Sequence, residues 1–213
     1  MELLLVRHAL PVRRELTEGV ADPGLADEGH AQAKLLGEYL GAEELDAVYA
    51  SSLRRAQQTA TPVATACGLD VVIESGVAEY DRASSEYVPV EELKAANDPR
   101  WRAMLDGEWD PESDETREEF EGRVLDSIER IIGAHGGQRV AVVCHGGVIN
   151  AYLSHILDLP RGDGSFSRGF FYPNYTSIHR VMASSSGVRS ILTINETAHL
   201  RGSGLPVGMG ARG

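Results

Sequence analysis

The sequence predicts an α/β fold with three layers, a sheet covered by helices on both faces. Three features predict it. Short β-rich runs alternate with longer segments of helical periodicity. One run, Val140 to Cys144, is apolar without interruption, as in a strand buried on both faces. Two histidines, His8 and His145, directly follow such runs, where open α/β sheets bind their ligands.

The elements follow in order. Leu3 to Arg7 reads as a buried first strand, and Asp27 to Leu40 as a helix with Ala31, Leu35, Leu36 and Tyr39 on one side. Ala47 to Ala50 is a second strand. Ser52 to Cys67 has a helical pattern that Pro62 is expected to kink or restart, and Gly68 marks its end. Val71 to Glu74 is a third strand. Residues 80 to 118 lose periodicity and hold Asp98-Pro99, Gly107, Asp110-Pro111 and many acids, so about 80–115 is expected to be an excursion near the site. Phe120 to Ile132 is a helix with a stripe of Phe120, Val124, Ile128 and Ile131/Ile132. Val140 to Cys144 is followed by a helix over Gly147 to Leu157. Late strands cover Thr176 to Met182 and Val188 to Ile194. A single domain is expected over 1–200, with a flexible Gly-rich tail over 201–213.

The 213 residues carry a formal net charge of −12, which argues against broad binding to nucleic acid. A local positive pocket for a small anion stays compatible with an acidic total, because the nearest groups set a site's potential. The first residues hold only four consecutive apolar side chains and no basic stretch, and no run approaches the roughly 20 residues of a membrane helix. The expectation is a cytoplasmic protein without a membrane partner. Cys67 and Cys144 read as reduced core thiols. A homodimer is left open.

His8 and His145 are each followed by a loop or helix start, where backbone N–H groups favour an anion. Gly146-Gly147 lets a ligand approach the backbone closely. Arg7 adjoins His8. After the second strand, Ser51-Ser52-Leu53-Arg54-Arg55-Ala56 brings a helix start toward the same edge. Arg54 and Arg55 differ by about 100° around that helix, so one of them faces inward. Guanidinium groups suit phosphate because they stay charged and donate in a planar fork. Glu79 follows the third strand and is unremarkable alone. His30, His135, His155, His179 and His199 read as structural. Other phosphate chemistries fit poorly: a Cys-x5-Arg loop from Cys144 would need arginine where Asn150 stands, and there is no phosphate loop, serine elbow or zinc helix.

Arg7-His8, the run from Ser51 to Ala60 and Cys144-His145-Gly146-Gly147, in that order, resemble the histidine phosphatase, or phosphoglycerate-mutase-like, superfamily. Leu25 to Ala33 resembles the opening of that family's first helix, and Asn195 to Leu200 a common late segment. The resemblance implies a mixed, mostly parallel sheet of about six strands with one antiparallel. It implies His8 as nucleophile, Arg7, Arg55 and His145 as the phosphoryl clamp aided by the Gly146 N–H, and Glu79 as general acid and then base. It selects Arg55 over Arg54 because the family places its arginine directly before the alanine. It implies no metal and no organic cofactor. The expected substrate is a small phosphomonoester, hydrolysed through phosphohistidine; mutase-type transfer and a silent phosphoester-binding protein are the alternatives.

Three positions depart from the family pattern. Ala9 replaces a common glycine. Ala26 replaces a threonine, with Asp27 expected to take over the helix cap. Leu10 to Arg14 replaces the corresponding segment of glycolytic mutases. The pocket wall is expected from residues 10 to 22 and the excursion, with Arg13, Arg14, Tyr80, Arg82, Trp101 and Trp109 as candidates; Arg14 is read either as reaching a second anionic group of the substrate or as a surface residue, with equal weight. An aromatic-rich wall would suit a substrate with an apolar part, but core packing is the favoured use of the two tryptophans.

Overall fold

A computed structural model of the chain describes residues 1–106, 113–159 and 170–208 and the backbone of 211–212. Gly107, Trp109, Asp110 and Pro111 lie outside the described residues.

The elements are β1 Glu2–Arg7, β2 Arg14–Glu15, α1 Asp27–Leu40, β3 Ala47–Ala50, α2 Arg54–Cys67, β4 Val71–Ile73, β5 Glu86–Tyr87, α3 Val90–Ala95, α4 Pro99–Asp106, α5 Arg117–Ala134, β6 Arg139–Cys144, α6 Gly146–Ile156, β7 Ile178–Ala183, β8 Arg189–Glu196, β9 Pro206–Gly208 and β10 Ala211–Arg212. Six of them form one sheet in the order β4-β3-β6-β1-β7-β8. β4, β3, β6 and β1 are parallel, and β7 runs antiparallel to both of its neighbours.

Period-two alternation sends each strand's side chains to two cores. Leu3, Leu5, Val140, Val142 and Cys144 pack with Phe120, Val124, Ile128, Ile149 and Leu153 of α5 and α6. Leu4, Val6, Ala141 and Val143 pack with Leu36, Leu40, Ala56, Ala60 and Val63 of α1 and α2. Each fully buried Leu or Val contributes about 1.5–3 kcal/mol. β1 and β6 sit side by side at the centre, so their carboxyl ends place His8 and His145 together.

Local chemistry sets the ends. Thr116 accepts from the Glu119 N–H while the Glu119 side chain accepts from the Thr116 N–H, a reciprocal cap that starts α5. Gly68 ends α2 with φ of 68°, a left-handed conformation that favours glycine.

Two expectations are corrected. α2 does not restart at Pro62 but runs through it as a single helix, and the Pro62 backbone lies against Gly37 of α1: a Cβ there would come within 2.8 Å of the Pro62 carbonyl. Packing thus outweighs a proline penalty of about 3 kcal/mol. Asp27 is not the cap of α1; Ala26 is, with no side-chain cap bond, and Asp27 and Glu28 occupy the first turn, where carboxylates favour the helix dipole. Part of the C-terminal segment meets the body of the chain: the Val207 carbonyl accepts from the Tyr175 N–H at 2.8 Å, and the Pro206 carbonyl from the Gln32 amide at 2.5 Å. No described helix is long and apolar enough to cross a membrane.

Candidate active site

The ends of β1 and β6 open into a cleft of about 390 Å3 whose walls include Arg7, His8, Arg55, Glu79 and Gly146. His8 is 3% exposed, and its ring lies 5.1 Å from that of His145, centroid to centroid. Its Nδ1 stands 2.8 Å from the Ala9 carbonyl, which can only accept. The proton therefore sits on Nδ1, and Nε2 keeps its lone pair. Burial first, then the Arg55 and Arg7 charges, hold the His8 pKa well below its ordinary value. The imidazole is neutral at pH 7. Ala9 is fully buried, and its N–H donates to Thr59 Oγ1, which fixes the turn that carries the ring.

His145 is held by Ser51, 2.7 Å from Nε2. Burial and Arg55 hold its pKa down as well. Ser51 Oγ also accepts from the Leu53 N–H at 3.2 Å, which fixes the hydroxyl beside Nε2.

Arg55 is 1% exposed, whereas Arg54 is at the surface. Arg55 Nη2 bonds both carboxylate oxygens of Asp81, at 2.8 and 3.1 Å, and its guanidinium lies 4.5 Å from the centre of the Tyr87 ring. Arg7 is arranged similarly. Its Nη1 donates to the Pro173 carbonyl at 2.8 Å and to Glu91 at 3.2 Å, and its guanidinium lies 4.2 Å from the centre of the Tyr175 ring. Glu91 also accepts the hydroxyls of Tyr172 and Tyr175, both at 2.5 Å. Desolvated stacking of this kind is worth about 2 kcal/mol per pair and fixes each guanidinium plane. Among the described residues, four buried side-chain atoms have no hydrogen-bond partner: Arg7 Nε, Arg55 Nε and His145 Nδ1 at the cleft, and His199 Nδ1 outside it.

Glu79 is buried. Its Oε2 accepts the Gly147 N–H at 2.8 Å and its Oε1 the Tyr80 N–H at 3.3 Å. Burial and the nearby Asp81 charge push its pKa up to about 7, against the pull of Gly147 and Arg55. Gly147 is required here for space: a Cβ would come within 2.3 Å of Glu79 Oε1.

The structure thus gathers Arg7, His8, Arg55, Glu79, His145 and Gly146. Arg14 is not among the wall residues. It is exposed on β2, opposite Tyr87 of β5. Arg13 pairs with Glu15 and Glu92, and Arg82 with Asp114 and Glu115. No residue from 10 to 22 lines the described wall; Tyr80 and Trp101 do, joined by Phe170 to Pro173. Sequence reasoning missed Asp81, Glu91, Tyr172 and Tyr175, since a carboxylate in an acidic loop resembles a solvated one. Outside the cleft, His135 bonds Tyr49, His179 bonds Ser177, and His199 bonds Thr176. Cys67 and Cys144 are free thiols.

A family model described as the histidine phosphatase superfamily (branch 1) matches residues 3–197. Phosphoserine phosphatase 1 of Hydrogenobacter thermophilus is 32% identical over 94% of both chains. A probable phosphoglycerate mutase of Yersinia enterocolitica is 29% identical over 75% of this chain and 76% of its own. The structure of a mycobacterial glucosyl-3-phosphoglycerate phosphatase superposes with a TM-score of 0.70 over 92% of this chain and 99% of the other; at 21% identity, this likeness shows the fold alone.

Proposed function

Given that this chain belongs to the histidine phosphatase superfamily, we propose that it hydrolyses small phosphomonoesters through a phosphohistidine on His8. The observation that carries the reading is the set of buried, unpartnered atoms, Arg7 Nε, Arg55 Nε and His145 Nδ1, around a neutral imidazole. Buried polar groups are normally paired, so such a set calls for an acceptor with several oxygens. A phosphoryl group is one, and positively charged donors match it best.

His8 Nε2 attacks phosphorus while the bond to the ester oxygen breaks. Arg7, Arg55, His145 and the Gly146 N–H stabilise charge on the equatorial oxygens. Glu79, protonated, gives its proton to the leaving oxygen. Its carboxylate then takes a proton from water, the hydroxide displaces the histidine, and phosphate leaves with His8 neutral again. Residues up to about 200 form the catalytic unit, with the excursion supplying the groups that hold the arginines. The acidic sequence supports an enzyme of small metabolites rather than of nucleic acid.

Phosphate release from a panel of phosphomonoesters, with and without chelator, tests this. Release unaffected by chelator is expected. Accumulation of an isomeric phosphoester without release would replace the reading with a mutase, and loss of activity on chelation would contradict a metal-free site.

Glu91 supplies a further expectation. Because it fixes Arg7 and both tyrosines, Glu91→Ala should lower kcat/KM by roughly 10- to 100-fold, the order expected when a binding group is displaced by about 1 Å. Inhibition by inorganic phosphate should weaken in parallel, since Arg7 touches the phosphoryl group in the ground state as well. A kcat/KM that falls while the phosphate inhibition constant stays put would contradict this role.

A further inference from the structure

The cleft is not charged throughout: its lining also includes Val90 and Leu93, Trp101 and Met104 of α4, and Phe171. α4 contains no fully buried residue, yet its apolar side chains Trp101, Met104 and Leu105 are half-buried and line this cleft. They form an apolar surface beside the site, with Lys94 5.9 Å from the centre of the Trp101 ring. Arg100, the cation that α4 adds to the wall, is already held by Asp98 at 2.8 Å and by Glu86. The acids nearest the phosphoryl end are likewise engaged, Asp81 with Arg55 and Glu91 with Arg7.

We propose that the alcohol part of the preferred substrate is bulky and apolar, an alkyl or aryl chain lying along Leu93, Trp101 and Met104, and not the compact charged part of a phosphorylated amino acid or sugar acid. The proposal rests on the phosphatase reading above and adds the substrate class to it. Polar groups fix orientation at the phosphoryl end, and the apolar wall supplies affinity in proportion to the surface removed from water.

A series of n-alkyl monophosphates from ethyl to hexyl tests it, because the leaving alcohol's acidity barely changes along the series and only the buried surface does. The expected result is a rise in kcat/KM of about 2- to 4-fold per methylene, with phosphoserine and 3-phosphoglycerate no better than ethyl phosphate. The double substitution Trp101→Ala, Met104→Ser lies on half-exposed positions of α4 and should lower the hexyl-to-ethyl ratio of kcat/KM. The n-alkyl phosphonates, which cannot be hydrolysed, give the same slope as inhibition or binding constants without needing turnover. A flat series, or a preference for esters with a second anionic group, which would point to Arg117 on the same wall, overturns the proposal while leaving a phosphatase. A chain that releases phosphate from no ester, yet binds longer phosphonates more tightly, would sink the hydrolysis reading and keep the apolar subsite.

Discussion

Substituting His8 by alanine is expected to lower phosphate release by roughly 10^4-fold or more, the scale seen when a covalent nucleophile is removed. It should also abolish an acid-labile, alkali-stable phosphoryl adduct on the chain. Nδ1 is occupied by its bond to the Ala9 carbonyl, which leaves Nε2 as the attacking atom. Burial and two arginines keep that atom unprotonated, and no described neighbour offers an equivalent lone pair: His145 is committed to Ser51 through Nε2. The clamp itself does not depend on His8, so inorganic phosphate should still bind the variant, while residual turnover reflects electrostatic stabilisation without a nucleophile. His8 is 3% exposed, and its loss leaves a small polar void, so retained phosphate binding doubles as the check that the fold survives. Full activity in His8→Ala, or an adduct that persists, would rule out the phosphohistidine mechanism.

How much of this was legible in the sequence depended on the range of the signal. β1 and β6 declare themselves as unbroken apolar runs, and a residue at the end of such a run has few places to go but the sheet's carboxyl edge. His8 and His145 could therefore be paired across 137 residues from patterning and position. The choice between Arg54 and Arg55 needed the family resemblance; the structure puts Arg55 inside and Arg54 at the surface. Glu79 had no local mark. Its character comes from the Gly147 N–H, 68 residues away, and from burial that only the folded chain provides. Glu91 and Asp81 were illegible for the same reason, their partners being defined by tertiary contact. Arg14 lies exposed on β2 opposite Tyr87 of β5, in a two-residue pairing too short to leave a periodic trace in the sequence. Phe170 to Pro173 form a wall without regular secondary structure, so periodicity could not single them out.

Glu79→Gln should separate the two steps of the reaction. With a pKa raised to about 7, Glu79 is protonated on the acid side of neutrality and ionised on the alkaline side. Phosphoryl transfer to His8 needs the protonated form when the leaving group is an alkoxide. The kcat/KM for an alkyl phosphate, which reports that step from the free enzyme, should therefore fall as pH rises through about 7. The depressed pKa of His8 keeps the nucleophile neutral well into acid, so His8 does not set this limb. A nitrophenyl phosphate expels a phenolate that needs no proton, and its kcat/KM should lack the alkaline fall. In Glu79→Gln the alkyl ester should lose roughly 10^2- to 10^4-fold in kcat/KM, the range for removal of a general acid, and the nitrophenyl ester far less. Hydrolysis of the phosphohistidine loses its base in the same variant. Mixing it with nitrophenyl phosphate should then give a burst of about one nitrophenolate per site followed by slow turnover. Glutamine keeps the carbonyl that can accept the Gly147 N–H, so the positions of α6 and its N–H groups are retained. Equal losses for the two esters with no burst would assign Glu79 to holding Gly147 rather than to proton transfer.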